Sequence, residues 1–77
     1  MSGPQYDPAL IVLVQNADQR LLGVKLGALC ISKDIPVHDV ADFFNVPRPV
    51  VLAWFKGEVK VPNRLATKVA DIISKLS

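Results

Sequence analysis

An all-α domain of four to five short helices is predicted for this chain, and three observations carry the prediction. Apolar residues recur at helical spacing over three separate stretches. Breaker and capping residues interrupt those stretches at Asn16-Ala17-Asp18, Asp34-Ile35-Pro36, Asn45-Val46-Pro47 and from Gly57 to Pro62. Near the middle, two short apolar patterns are separated by only three residues, Asn45-Val46-Pro47. Two helices joined so tightly must cross at a steep angle, which is the spacing of a helix-turn-helix.

In the first of these two patterns Val37, Val40, Ala41 and Phe44 share one helix face at i, i+3, i+4 and i+7. Phe43 lies about one residue off that stripe and is expected to be partly exposed, covering the preceding helix or an interface. The second pattern carries Val50, Val51, Trp54 and Phe55 on one face and stops at Gly57, suited to the left-handed conformation that ends helices. Trp54 and Phe55 follow Val51 at i+3 and i+4, so their expected role is core and not base stacking. Asn45 tolerates a positive φ at the turn.

The flanks follow the same logic. Residues 1–6 contain Gly3 and Pro4 and little to bury, so a mobile tail is expected there, with residues 7–77 forming one domain. Asp7-Pro8 is a capping residue followed by proline at a first helical position, which predicts a helix. Ile11 to Val14 is apolar on every side and mostly β-branched, which argues for a short strand instead; the helix is the preferred reading. Either way Leu10, Ile11, Leu13 and Val14 give residues 7–16 more apolar surface than a small domain covers, and a homodimer interface is expected in this segment, the alternative being an extra layer on the same chain's core. Asn16-Ala17-Asp18 reads as a stop and a new cap. Leu22, Leu26, Leu29 and Lys33 then trace the next helix, with Gly23 and Gly27 inside it, each costing about 1 kcal/mol relative to alanine unless close helix approach requires them. Asn63 is read as the cap of a last helix lined by Leu65, Val69, Ile72 and Leu76.

The run from Ile35 to Gly57 resembles the helix-turn-helix of the lambda-repressor-like domains of phage and bacterial regulators, and residues 22 to 76 follow the wider domain. Ala41 stands where the helices cross, Val46 plugs the turn, Val51 faces the core, Trp54 lies near the end of the recognition helix and Gly57 closes it. The resemblance implies a double-stranded DNA-binding transcriptional regulator acting as a dimer. Its recognition helix would present Arg48, Pro49, Leu52, Ala53 and Lys56. Arg48 occupies a base-reading position and can form a bidentate contact to guanine, while Pro49, Leu52 and Ala53 can touch thymine methyls. Lys56, Lys60 and Arg64, with Lys33 and Lys68 nearby in sequence, would contact phosphates. Val37 and Pro47 replace the polar residues the family commonly uses to hold phosphates. Two other functions therefore stay open. One is a protein-interaction module that binds a host or regulatory protein through the apolar Pro49-Leu52-Ala53 surface; the other is the DNA-binding part of a packaging or replication initiator.

Bulk properties narrow the classes further. A net charge of +2 over 77 residues is compatible with nucleic acid but too mild for binding by charge alone. The single Cys30 allows no intrachain disulfide, which fits a reducing, cytoplasmic compartment. Ala9 to Val14, an apolar run that no other exceeds in length, is too short to span a bilayer, so no membrane partner is expected. His38 and Cys30 are the sole residues of their types, and a zinc site needs three or four converging ligands, so neither a metal nor another cofactor is expected. Asp39 and Asp42 lack the cleft that acid–base catalysis requires, no phosphate-binding glycine loop is present, and an enzyme is not expected.

Overall fold

The Asp7 carboxylate accepts a hydrogen bond of 2.8 Å from the Ala9 amide, and Pro8 occupies the first turn, so the chain enters a helix at once. In the computed structural model, which describes residues 6–77, this helix is α1 (Pro8–Asn16), followed by α2 (Leu22–Ser32), α3 (Val37–Phe44), α4 (Arg48–Lys56) and α5 (Asn63–Leu76). The described residues are all helix and connecting loop, with no strand. For α1 the cap outweighs the β-branched composition of Ile11–Val14. No helix among the described residues is long and apolar enough to cross a membrane. The Cα radius of gyration, 11.4 Å, matches the roughly 11.5 Å of a compact chain of this length, so no helix is splayed away.

The expected dimerisation set is divided by the fold. Helical geometry puts residues 10, 11 and 14 on one side of α1, and that side packs inward. Val14 is buried in the chain's own core, and Leu10 and Ile11 are half-buried against it. Of the four, only Leu13 is left outward, joined by Val12, each about half exposed (53% and 52%). The N-terminal tail needs a similar correction at its last residue. Residues 1–5 lie outside the described part, but Tyr6 is buried: its hydroxyl donates to the Ile35 carbonyl and its ring lies 6.3 Å from that of Phe55.

α2 is the central helix, in contact with α1, α4 and α5, while α3 packs on α4. It begins at Leu22 and not at Asp18, because the Asp18 carboxylate is engaged elsewhere: it accepts the Arg20 amide at 3.0 Å and pairs with the Arg20 guanidinium at 3.1 Å. The buried face comprises Gly23, Val24, Leu26, Gly27 and Cys30, about one residue out of phase with the expected stripe; Leu22 and Leu29 are only half-buried. The glycines cause the shift. A Cβ on Gly23 would lie 2.6 Å from the Trp54 carbonyl oxygen, and one on Gly27 would lie 2.7 Å from Cγ of Phe55. The side of α2 without side chains is thus the side that meets α4, and the contact offsets the cost of helical glycine.

Pro62 holds the cap position of α5, placing Asn63 inside the first turn. Leu65 and Val69 are buried, Ile72, Ile73 and Leu76 are half-buried, and Lys75 pairs with Asp71 at 3.1 Å on the solvent side.

Candidate nucleic-acid interface

The turn between α3 and α4 is set by backbone conformation. Asn45 sits at φ 57, ψ 48, the left-handed region that few residues other than glycine and asparagine tolerate. Its own amide donates to the Asp42 carbonyl at 3.3 Å, and the Val46 amide donates to the Ala41 carbonyl at 3.0 Å, so two carbonyls of the last turn of α3 are satisfied as the chain turns. Val46 is half-buried beneath the turn.

α4 starts with proline at its cap position, Pro47, and again at Pro49 in its first turn. Both fit the fixed φ of a helix start, but neither offers an amide to a phosphate. The helix ends at Gly57 with φ 75; the Gly57 amide donates to the Trp54 carbonyl at 3.1 Å and the Glu58 amide to the Ala53 carbonyl at 3.0 Å. Between these ends Val51, Trp54 and Phe55 are at most 1% exposed, which fixes the rotation of the helix about its axis. Trp54 also meets Phe44 edge-to-face at 6.0 Å between ring centres.

Arg48 and Pro49 are exposed on the opposite face, while Leu52, Ala53 and Lys56 are half-buried. Lys56 reaches Glu58 at 3.4 Å. Lys60 and Arg64 are exposed beyond the end of α4, Lys60 in the connecting loop and Arg64 in the first turn of α5. A surface cleft lined by Lys60, Asn63 and Val59 also includes Arg20, a cation that sequence reasoning left out. Helical spacing aligns Arg48, Pro49, Leu52, Ala53 and Lys56 along the outer side of α4, and Lys60 and Arg64 follow its end in the sequence.

Two features modify that row. Arg48, Pro49 and Leu52 share a groove with Tyr6, Asp7 and Leu10, so the N-terminal segment borders the outer face of α4. Lys68, expected from the sequence among the phosphate contacts, places its Nζ 4.8 Å from the centre of the Phe43 ring, a cation–π contact. Neither could be read from the chain, because both bring together residues distant in sequence. Phe43 is exposed, as its phase on α3 predicts. His38 and Asp39 form an exposed pair at 3.2 Å, and the described residues contain no cluster of three or more metal-ligating side chains.

Compared with models of known protein families, with curated proteins and with solved structures, the chain matches none of them.

Proposed function

We propose that this chain is a lambda-repressor-like helix-turn-helix protein that binds double-stranded DNA as a dimer and regulates transcription in a phage or bacterial setting. The observation that supports it most is the fixed presentation of α4: Val51, Trp54 and Phe55 on its inner face are buried, Pro47 caps its start and Gly57 its end, and its outer face carries Arg48 at the start and Lys56 at the end. A helix held in this way can lie in a major groove with its N-terminal residues against base edges. In this reading Arg48 contacts guanine, and Pro49, Leu52 and Ala53 pack on thymine methyls. Lys56, Lys60 and Arg64 hold phosphates through side-chain charge at and beyond the C-terminal end of α4, while Pro47 and Pro49 offer no amide at its start. A dimer would place two such helices on successive half-sites.

The test is a salt series of binding to a random duplex. Each neutralised phosphate contributes a slope of about −0.9 in log K against log salt, so three contacts per chain give about −2.7. A flat dependence would rule the DNA reading out.

One observation favours a second reading, the protein-interaction module. The groove of Tyr6, Leu10, Val37, Pro49 and Leu52 is largely apolar and runs beside α4, where an apolar side chain of a protein partner could seat. Salt-insensitive binding of a protein partner, abolished by Leu52→Asp, is the result that distinguishes it.

A further inference from the structure

α3 is held by α4, and α5 is held by α2, and between α3 and α5 the surface opens into a cleft of about 210 Å³. Leu26 and Cys30 of α2 form its floor, Val40 and Phe43 one wall, and Ile72 and Leu76 the other. Its lining is apolar apart from Asp39 on the α3 side. The volume falls below the roughly 300–1,000 Å³ typical of small-molecule sites and is closer to what a single protruding side chain needs. The same rim carries such a side chain. Phe43 is 51% exposed, stands edge-to-face on Phe44, and holds Lys68 over its ring.

We propose that a second copy of this chain covers the cleft, in a twofold dimer where Phe43 of each copy enters the cleft of the other. The argument is self-complementarity. An isologous interface meets itself, so whatever protrudes on one half must find its recess, and each charge its opposite, on that same half. This surface has all four parts. Phe43 is the knob and the α3–α5 cleft is the hole. Lys68 travels with the knob and Asp39 marks the edge of the hole, so docking brings the cation of one copy towards the carboxylate of the other. Lys68 makes no ion pair among the described residues of its own chain, and Asp39 is paired only with exposed His38. A foreign partner would have to supply its own knob, hole, acid and base in matching order.

The surface is distinct from the exposed Val12 and Leu13 on α1, so the two predict different variants. Its failure is distinguishable from that of the DNA reading: absence of DNA binding by a protein that dimerises counts against that reading alone, whereas a monomer that binds DNA counts against this interface and against the dimer of that reading, leaving DNA contact by α4 intact.

The test uses charge reversal at two exposed positions, with folding checked by circular dichroism and mass measured by native mass spectrometry and sedimentation. The wild type is expected to dimerise at tens of micromolar. Asp39→Lys and Lys68→Glu should each weaken dimerisation about tenfold or more, because each creates like-charge contacts across the twofold. Mixing the two variants should restore a dimer containing one chain of each kind, in which both cross-pairs are again opposite in sign. Phe43→Ser should also favour the monomer. A monomeric wild type, two reversed variants that dimerise as the wild type does, or a mixture that stays monomeric would each overturn the proposal. So would a dimer that Leu13→Asp dissociates while both charge reversals leave it intact, since that would assign the interface to α1.

Discussion

Gly23 and Trp54 are in such close approach that a single methyl group on the glycine would meet the carbonyl oxygen of the tryptophan at 2.6 Å and its Cβ at 2.7 Å. The obstacle is main chain, which cannot rotate aside as the tip of a side chain can. The angle and depth at which α2 meets α4 are therefore fixed by a missing side chain, and the outward row of α4 inherits that placement.

Gly23→Ala is expected to destabilise the fold. Overpacking costs about 1–3 kcal/mol, partly offset by the roughly 1 kcal/mol by which alanine favours a helix. Gly27→Ala should cost less, since its nearest neighbour is the Phe55 side chain at 2.7 Å and the Phe55 backbone Cα is farther away at 3.1 Å. Urea titration followed by circular dichroism gives the order. A Gly23→Ala protein as stable as the wild type would mean that α2 and α4 are not in this close contact.

Trp54 is expected to be structural. It is 1% exposed, packed between Gly23 and Phe44, and truncation of a buried tryptophan to alanine typically costs about 3–5 kcal/mol, a large share of what a small domain has. Trp54→Ala should be largely unfolded at 25 °C. Its Nε1 finds no acceptor among the described residues, so Trp54→Phe, which keeps an aromatic ring and drops that donor, should lose less. A fully folded alanine variant that had lost only ligand binding would place the ring at the surface.

Base reading and phosphate holding should separate by variant. Arg48→Ala is expected to cost about 1–3 kcal/mol on a preferred site and little on random DNA, relaxing preference at one base position. Lys60→Ala should weaken both kinds of DNA alike and reduce the salt slope by roughly one unit per bound chain. Fluorescence anisotropy on the two duplexes measures both. Equal losses for Arg48→Ala on specific and random DNA would reduce Arg48 to a phosphate contact.

Stability should decline above pH 9. Burial pushes the Cys30 thiol from its ordinary 9.0 to about 11, and burial first, then the charges of Cys30, Asp34 and Asp39, pushes the Tyr6 phenol well above its ordinary value. Both groups hold their protons more tightly in the folded chain, so at alkaline pH the unfolded chain releases protons first and gains stability from doing so. The contribution of Cys30 is complete below about pH 9 and is lost as pH rises towards 11; the loss due to Tyr6 continues further. Urea midpoints at pH 7, 9 and 10.5 follow the decline, and Cys30→Ala should flatten its first part. Constant midpoints across that range would contradict the burial of both groups.

The parts of the fold legible in the sequence are those governed by local conformation. Asn45 and Gly57 both adopt the positive φ their residue types favour, so the limits of α3 and α4 could be read from the chain. Asp7-Pro8 started α1 for the same reason. Illegible was whatever depended on which neighbour a surface meets. Val14 reads as surplus apolar area until α2 is set beside it, and the true phase of α2 follows its glycines and not its leucines, because the partner helix contributes the bulk. Tyr6 has the same history: nothing within residues 1–6 shows that Ile35, distant along the chain, offers it a carbonyl. The outward row of α4 was legible as a list of residues, whereas the groove shared with Asp7 and Leu10 and the capture of Lys68 by Phe43 were not.

The burial of Trp54 has an optical consequence. It is the chain's sole indole, enclosed by α2, α4 and the edge of Phe44 and shielded from solvent. Its emission should be blue-shifted and protected from aqueous quenchers. The ring lies on the inner side of α4, so a ligand bound rigidly to the outer side would leave the spectrum unchanged. A spectral change on adding DNA or a protein would therefore report α4 moving against α2, and would distinguish docking on a fixed helix from docking that rearranges it, without any attached label.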